Sequence, residues 1–374
     1  MKFSCDKNIL VQAVNAVIKI LPAKSPMPLL EGILLETGEN NLKLIGYDME
    51  VGIDTCIEVE VQTPGKIVVN GKMFGDVLKN LDNNIIYISV DDKYNMSITC
   101  GLIKYVLPCL DAQAYPEMPV LENSKIFNIK QNIFLSMIRQ TLFAVSTNDS
   151  RPILTGSLFD IGENSITVVS SDNFKMAIRR EEYENPIKEA FSFIVPGKTQ
   201  RELLNLVENN EDLMTIGLAS RHIVFEFGTI RIISRLLDGE FLNYNAIIPR
   251  TFKTKTTVNI KEFKKTVERA SVLISEKVKI PVRCDFEHDT IVLSCKSNDG
   301  HSFNDEIKSE IEGEPLEIGF NHKYLIDALN ACEGESVLLA LNSPVSSMCF
   351  LPEKGEKFVY LISPMRLRND EVMS

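Results

Sequence analysis

The sequence lacks any apolar run long enough to cross a bilayer, because none approaches the roughly 18 residues that a membrane span requires. Residues 1–6 lead directly into an alternating strand pattern, without an apolar targeting segment or a cleavage site. The eight cysteines include no Cys-x-x-Cys pair, so we expect reduced and mostly buried thiols. These absences favour a cytoplasmic protein and argue against a membrane protein or a disulfide-stapled fold.

Motifs for metal or nucleotide chemistry are also missing. The four histidines show neither a His-Glu-x-x-His pattern nor the spacing of a Cys/His metal site. The Gly-Lys-Thr at residues 197–199 looks like the end of a phosphate-binding loop, but that loop requires glycine at position 192, where the chain has Ser192. The sequence therefore predicts no metal and no cofactor.

Carboxylates give no sign of an active site either. Asp48 and Asp172 recur in two copies of a repeat, where an aspartate most often bonds its own backbone in a turn. The third copy has Asn298 near that place, which argues against a shared catalytic carboxylate. With no nucleophile, base and orienting group suggested together, we expect a non-enzyme.

A passage of strand, basic residue and amphipathic helix occurs three times, at a spacing of about 125 residues. The basic residues are Lys72, Lys198 and Lys323, and each precedes apolar residues at helical spacing. Residues 3–10 also align without a gap on residues 127–134. A unit of this size is too long for a solenoid repeat and is the size of a domain, so the chain is predicted to contain three similar domains.

Each repeat combines two helical patterns with several alternating strand patterns. This predicts an α+β fold in which helices cover one face of antiparallel sheet. Proline-containing, weakly periodic stretches precede each restart of the repeat, which places the three domains at residues 1–122, 123–252 and 253–374.

The net charge of −11 argues at first against a nucleic-acid partner. The charges are segregated, however. The predicted helices at 7–19 and 130–141 carry four basic and no acidic residues, and the helix at 260–270 carries four basic and two acidic residues. A protein of this kind can be acidic overall and basic along one set of helices.

With the three repeats and these charges established, the sequence resembles the bacterial DNA polymerase III beta subunit family, the sliding clamps. The resemblance covers essentially the whole chain and is clearest at residues 29–35, 239–244, 342–347 and 361–367. It implies a ring-shaped homodimer with three clamp domains per subunit, helices lining the inside and antiparallel sheets outside. Such a ring encircles duplex DNA without reading its sequence and tethers the replicative polymerase.

The resemblance, together with the placement of charge, implies a set of residues close to DNA. The resemblance gives Lys24, Asn148, Lys198 and Arg201, and the charge placement adds Lys7 and Arg139.

The resemblance also implies one peptide pocket per subunit, between the second and third domains. Pockets of this family capture short motifs of the replicative polymerase, the clamp loader and repair proteins. The implied wall is rich in apolar side chains, which suit the anchor residues of an extended peptide. It consists of Leu154, Ser171, Asn173, Phe174, Lys175, Met176, Leu242, Ile247, Val345, Ser347, Leu361, Ser363, Pro364, Met365 and Arg366.

Several wall positions depart from the family pattern. Residues 173–175 read Asn-Phe-Lys where Gly-His-Arg is common, Leu242 replaces a proline, and Ala246 replaces an arginine. A tail continues beyond Leu367 and could partly cover the pocket. The peptide preference therefore stays open.

For the dimer interface, the resemblance implies continuation of a sheet from one subunit to the next, which would cover an apolar edge strand. The residues implied are Tyr105 and Leu107 in the first domain and Val272, Leu273 and Ile274 in the third.

Two alternatives to a DNA-encircling clamp remain open on the sequence alone. One is a peptide-binding scaffold of the same fold that does not encircle DNA. The other is an enzyme with unrecognised chemistry, which would be indicated by a turnover that is lost when Asp48 or Asp172 is changed.

Overall fold

The computed structural model describes most of the chain as two compact units. Residues 122 and 123, where the first predicted domain boundary falls, lie outside the described residues, as do Asn298 and the tail from residue 368. Unit 1 consists of Met1–Leu135 and Lys198–Leu236, and unit 2 consists of Ser136–Gly197 and Leu237–Ser374. The described residues are 1–82, 84–121, 124–148, 150–274, 280–297 and 299–367.

The described residues form two α-helices in each repeat, as the sequence predicts. The helices predicted at 7–19, 130–141 and 260–270 are confirmed to within one residue at each end. None of the helices in the described ranges is long and apolar enough to cross a membrane. The helices are α1 (Lys7–Ile18), α2 (Gly71–Lys79), α3 (Gln131–Thr141), α4 (Gly197–Leu206), α5 (Ile260–Ser271) and α6 (His322–Ala331).

Helix α1 illustrates why these segments are helical. The carboxylate of Asp6 accepts the backbone N–H groups of Asn8 and Ile9 at 2.8 and 3.3 Å, which satisfies donors that the helix itself leaves unpaired. Its buried side includes Leu10 and Val14. Asparagine side chains cap three of the other helices in the same way, at Asn70, Asn259 and Asn321.

Unit 1 contains one antiparallel sheet of thirteen strands, in the order β10-β15-β16-β17-β4-β3-β2-β6-β9-β8-β7-β1-β5. β4, from the first repeat, pairs with β17, from the second, so the sheet runs through the junction of these repeats. The strands are β1 (Lys2–Asp6), β2 (Gly32–Thr37), β3 (Asn41–Tyr47), β4 (Val51–Glu58), β5 (Glu60–Thr63), β6 (Lys66–Asn70), β7 (Ile85–Val90), β8 (Asn95–Cys100), β9 (Ile103–Asp111), β10 (Lys125–Lys130), β15 (Leu213–Leu218), β16 (His222–Phe227) and β17 (Ile230–Arg235).

Unit 2 contains a nine-stranded sheet, β14-β11-β12-β13-β26-β25-β24-β18-β22, and a four-stranded sheet, β21-β20-β19-β23. β13 and β26 join the second and third repeats. The strands are β11 (Gly156–Ile161), β12 (Ser165–Ser171), β13 (Lys175–Glu182), β14 (Phe191–Pro196), β18 (Thr254–Asn259), β19 (Val282–Glu287), β20 (Thr290–Lys296), β21 (Ser302–Lys308), β22 (Ile311–Gly313), β23 (Leu316–Phe320), β24 (Ser336–Leu341), β25 (Met348–Leu351) and β26 (Phe358–Ile362).

The two faces of β13 pack into different hydrophobic cores, because successive side chains of a strand point to opposite faces. Ala177 belongs to the core that contains the helices α5 and α6. Met176 and Ile178 belong to a second, smaller core on the other face. This second core is where the structure brings together four apolar residues of the predicted pocket.

Candidate peptide pocket and DNA interface

Every residue of the predicted pocket lies in unit 2. Its apolar base is formed where β13 and β26 pair, with Met176 directly opposite Leu361. These two side chains and Leu154 are only 5, 4 and 3% exposed, and they share the smaller core with the half-buried Leu242. The structure therefore brings four of the predicted wall residues into one apolar cluster.

The turn before β13 forms a rim beside this cluster. The Asp172 carboxylate accepts the backbone N–H groups of Phe174 and Lys175 at 2.9 and 2.7 Å. Asn173 has a φ of 74°, a left-handed conformation that asparagine tolerates better than most residues. Below the turn, the buried Ser171 hydroxyl donates to the Lys175 carbonyl oxygen at 3.0 Å. The turn leaves Phe174 59% exposed to solvent.

The segment after β26 is fixed by backbone hydrogen bonds. Ser363 N–H donates to the Phe174 carbonyl oxygen at 2.8 Å, and Met365 N–H donates to the Gly319 carbonyl oxygen at 2.8 Å. The hydroxyl oxygens of Ser347 and Ser363 lie 3.5 Å apart. These contacts hold the C-terminal part of the predicted wall beside the turn of Phe174.

The remaining wall residues differ in how far solvent reaches them. Pro364 and Met365 are half-buried, and Arg366 is exposed. Ile247 and Val345 are 49 and 82% exposed, so they present apolar surface that the subunit itself does not cover.

Lys175 does not face the apolar cluster. It points to the other side of β13, where its ammonium donates to the Phe143 carbonyl oxygen at 2.9 Å and to the Asp327 carboxylate at 3.0 Å. The same ammonium lies 4.9 Å from the centre of the Tyr324 ring. The sequence interpretation placed Lys175 on the pocket wall, but the alternation of the strand turns its side chain toward α6.

Sequence reasoning missed Tyr324, which stacks on Phe174 with ring centres 6.3 Å apart and planes 25° apart. Burial, with smaller contributions from Asp172 and Asp327, raises the pKa of the Tyr324 hydroxyl. The helical spacing of α6 identified Tyr324 only as an apolar position of a helix, so the sequence carried no signal for this contact.

The predicted DNA-contacting residues are distributed over both units. Lys7 is half-exposed, and the other five are exposed. Lys7, Lys24, Lys198 and Arg201 belong to unit 1, and Arg139 and Asn148 belong to unit 2.

Lys198 has a contact that the sequence did not suggest. Its ammonium forms an ion pair with the Asp48 carboxylate, whose side chain is only 7% exposed. Asp48 also accepts the backbone N–H groups of Glu50 and Val51 at 2.9 and 2.6 Å, which confirms its reading as a turn residue. Because Asp48 partly neutralises it, Lys198 is a weaker phosphate ligand than an unpaired lysine would be.

Two basic residues of α5 were not singled out by the sequence. Lys261 and Lys265 are exposed and lie four positions apart, so they share one side of the helix. Neither has an acidic partner among the described residues, whereas Lys264 pairs with Glu268 at 3.7 Å. The i, i+4 spacing on a helix already read as basic could have identified them.

The first predicted interface segment lies on β9. Tyr105 and Val106 are 37 and 56% exposed, but Leu107 is 7% exposed and packs inside the subunit. Residues 103–108 pair with β8 on one side. Among the described residues no strand pairs with the other side of that half of β9, so it is a free edge.

The second predicted segment is not a strand. Residues 272–274 follow α5 in a turn, with Val272 82% exposed and with Leu273 and Ile274 half-buried against the core. The edge strands of the four-stranded sheet in this repeat are β23 and β21 instead. An edge strand there was not recognised because residues 302–308 are mostly polar.

The chain is similar to known proteins over 98% of its length. Models of the DNA polymerase III beta subunit match it in three parts: the N-terminal domain at residues 1–119, the central domain at 128–243 and the C-terminal domain at 245–366. The beta sliding clamps of Bacillus subtilis and Halalkalibacterium halodurans are 30 and 33% identical to it, each over 98% of this chain and 100% of the relative.

Solved structures show the same similarity. The DNA polymerase sliding clamp from Bacillus subtilis matches with a TM-score of 0.95 and 30% identity, over 98% of this chain and 100% of that chain. A putative DNA polymerase III beta subunit from Eubacterium rectale matches with a TM-score of 0.93 and 32% identity, over 98% and 99% of the two chains.

Proposed function

The chain belongs to the DNA polymerase III beta subunit family of non-catalytic sliding clamps, and we propose that it closes as a homodimeric ring around duplex DNA. The observation that carries this proposal is the triplicated α+β domain, matched over its full length by clamp models. We propose domain limits at residues 1–122, 123–252 and 253–374. Replication takes place in the cytoplasm of a bacterium, and we propose that compartment for this protein.

In this proposal the helices face the hole and supply sequence-independent attraction for phosphates. The proposal is supported by the exposed basic side chains of Lys24, Arg139 and Arg201, and by Lys261 and Lys265 of α5. Asn148 adds a neutral donor, and Lys7 a further positive charge. An acidic remainder of the surface disfavours DNA binding elsewhere, which suits a ring that has to slide.

The test is topological. A closed ring loaded on nicked circular DNA stays bound until the circle is cut, whereas a surface-bound protein is lost equally from both forms. We expect retention on the circle and release after linearisation, measured by gel filtration of the complex. Equal loss from intact and linearised circles would refute a ring.

Charge variants separate the clamp from the scaffold alternative. The triple variant Lys24→Glu, Lys198→Glu and Arg201→Glu is expected to lose retention and polymerase stimulation while peptide binding survives. The double variant Lys188→Glu and Lys253→Glu, at two exposed lysines outside the proposed interface, is the control. If the triple variant stimulates the polymerase normally, a scaffold that does not encircle DNA becomes the better description.

For the dimer, we propose that the free edge of β9 pairs with β21 of a second copy. This is supported by the unpaired half of β9 and by the edge position of β21. The exposed apolar side chains Tyr105 and Val106, and Leu102 at the tip of the same hairpin, would then be covered. Val272 is proposed to lie at the rim of this interface.

Two variants test the interface. Val106→Pro removes a backbone donor from the middle of β9, and Leu102→Glu places a charge at the hairpin tip. At micromolar concentration we expect dimers for the wild type and monomers for one or both variants by analytical ultracentrifugation. A wild-type subunit that sediments only at 42.1 kDa would contradict the dimer.

We propose that the pocket of unit 2 binds short peptide motifs of the replicative polymerase, the clamp loader and repair proteins. The proposal is supported by an apolar base at Leu154, Met176 and Leu361 and by the exposed apolar side chains of Phe174 and Ile247. Neither a metal nor another cofactor enters this function.

Peptide binding is tested with variants that spare the core. Met365→Ala and Ile247→Ala remove apolar contact area from half-buried or exposed positions. Each is expected to lower the affinity for a fluorescent motif peptide about tenfold. Met73→Ala, an exposed methionine of α2 outside the pocket, is the matched control. Unchanged affinity in both pocket variants would show that the peptide binds at another site.

A further inference from the structure

Two junctions between repeats have the same strand pairing but different side chains. One joins the first and second repeats in unit 1, and the other joins the second and third repeats in unit 2. Thr55 of β4 lies opposite Ile230 of β17, as Arg179 of β13 lies opposite Phe358 of β26. The alignment of residues 3–10 with 127–134 places Thr55 and Arg179 at the same repeat position.

In unit 2 a charged side chain occupies this repeat position. Arg179 is fully buried and donates to the Arg180 carbonyl oxygen and to the Glu181 carboxylate. Nearby, the Lys357 ammonium lies 3.5 Å from the carboxylate of Glu333, the first acidic residue after α6. Two cations, a guanidinium and an ammonium, therefore occupy the junction.

The Glu333 carboxylate is held by several donors. The Ser136 hydroxyl donates to it at 3.0 Å, and the Gln140 amide also donates to it. Burial opposes its ionisation, but the Ser136 hydrogen bond, the charges of Lys357 and Arg179 and the Gln140 hydrogen bond outweigh burial and lower the pKa of Glu333.

In unit 1 the side chains at the corresponding positions are short or neutral, and only the glutamate that corresponds to Glu333 is retained. Glu208 follows α4 as Glu333 follows α6. The counterparts of Ser136, Gln140, Arg179 and Lys357 are Gln12, Ala16, Thr55 and Thr229.

In unit 1, Glu208 and these four counterparts line a cavity of about 890 Å³. Its apolar walls include Leu206 and Phe227, and its carboxylates are Glu58, Glu208 and Asp212. The described residues that line it include neither lysine nor arginine. The acid has been retained, and the cations that accompany it in unit 2 have no equivalent here.

We propose that this cavity binds a small organic cation, a guanidinium or primary ammonium on a short apolar chain. The cation takes the place that the guanidinium of Arg179 and the ammonium of Lys357 take in unit 2, and Glu208 accepts its charge-assisted hydrogen bonds. The apolar chain packs on Leu206 and Phe227. The described residues that line the cavity include none of the residues assigned to the peptide pocket or to contact with DNA.

Cys56 supplies a direct readout, because it is exposed and lines the cavity. The experiment measures the rate at which iodoacetamide alkylates Cys56 in the full chain, with the Cys56→Ser variant as the baseline. We expect butylguanidinium to slow alkylation in a saturable way and butylurea, its neutral isostere, to have no effect. Agmatine and N-acetyl-arginine amide, compared in the same assay, distinguish a free metabolite from an arginine side chain of a protein.

Two variants locate the effect. Glu208→Gln is expected to raise the half-protecting concentration of butylguanidinium about tenfold, since a hydrogen bond to a charged partner is lost. Glu211→Gln, an exposed acid that pairs with Lys130 and does not line the cavity, should leave it unchanged. Equal protection by butylguanidinium and butylurea, or an unchanged response of Glu208→Gln, would overturn the proposal.

Discussion

Lys175 is the residue whose replacement most directly tests how the turn of Phe174 is held in place. Its ammonium, on a side chain that is 9% exposed, joins the turn of Phe174 to α6 through the Asp327 carboxylate. It also joins the turn to the segment after α3 through the Phe143 carbonyl oxygen. It also lies against the Tyr324 ring. The substitution Lys175→Met keeps the length and apolar stem of the side chain and removes only the charge and its donors.

The expected cost follows from these contacts. A hydrogen bond to a charged group contributes about 1.5–3 kcal/mol, and the Phe143 carbonyl oxygen would lose a donor. The Asp327 side chain is 39% exposed, so water can replace part of what it loses. We therefore expect a loss of about 2 kcal/mol in the free energy of unfolding, or about 4–8 °C in Tm for a unit of this size.

The assay is differential scanning calorimetry of Lys175→Met and Asp327→Asn, alone and combined. A direct interaction predicts that the double variant costs less than the sum of the single variants by about 1 kcal/mol. Lys253→Met, which breaks an ion pair whose side chains are 62 and 71% exposed, should cost less than about 0.5 kcal/mol. If Lys175→Met is as mild as this control, the assigned role of Lys175 is wrong.

Three further outcomes are expected. Cys56 should be the cysteine that iodoacetamide modifies fastest, and Cys56→Ser should remove that phase in a mass-spectrometric time course; rapid labelling of a buried thiol instead would contradict the packing. The pKa of Glu333 is lower in the folded state than in the unfolded state, where it is about 4.3, so ionised Glu333 stabilises unit 2 above that pH. This contribution is lost as the pH falls through the lower folded pKa. Glu333→Gln should therefore flatten the acid limb of a curve of Tm against pH. Gly313→Ala should destabilise unit 2 by about 2 kcal/mol or more, measured by urea denaturation. Gly313 has a φ of 107°, and a Cβ there would lie 1.8 Å from the Lys253 carbonyl oxygen. A neutral effect would refute that backbone geometry.

Much of the fold was predictable because the signals are local and occur in each repeat. The helices around Lys72, Lys198 and Lys323 follow from apolar spacing, and each lysine is the second residue of its helix. The antiparallel α+β class follows from the ratio of strands to helices. The pairing of β4 with β17 was not predictable, because it joins strands far apart in the chain whose edges have no distinctive residues.

The candidate site was predictable in its apolar part only. Met176 and Leu361 were named from the resemblance, and the register of β13 against β26 brings them together. The side on which Lys175 lies depends on where β13 begins, and a shift of one residue reverses it. The ion pair between Lys198 and Asp48 depends on the packing of one repeat against the next, which no local pattern encodes.

At each junction the repeats are joined by a ladder of backbone hydrogen bonds, five residue pairs between β4 and β17 and five between β13 and β26. Backbone groups are the same whatever side chains they carry, so the hydrogen-bond pattern of the joint does not itself depend on side-chain identity. The two junctions can therefore diverge in side chains, as Thr55 and Arg179 have done, while the strand pairing persists. Proline has no backbone N–H and cannot donate to such a ladder, so proline is the substitution that purifying selection should remove from these strands most strictly.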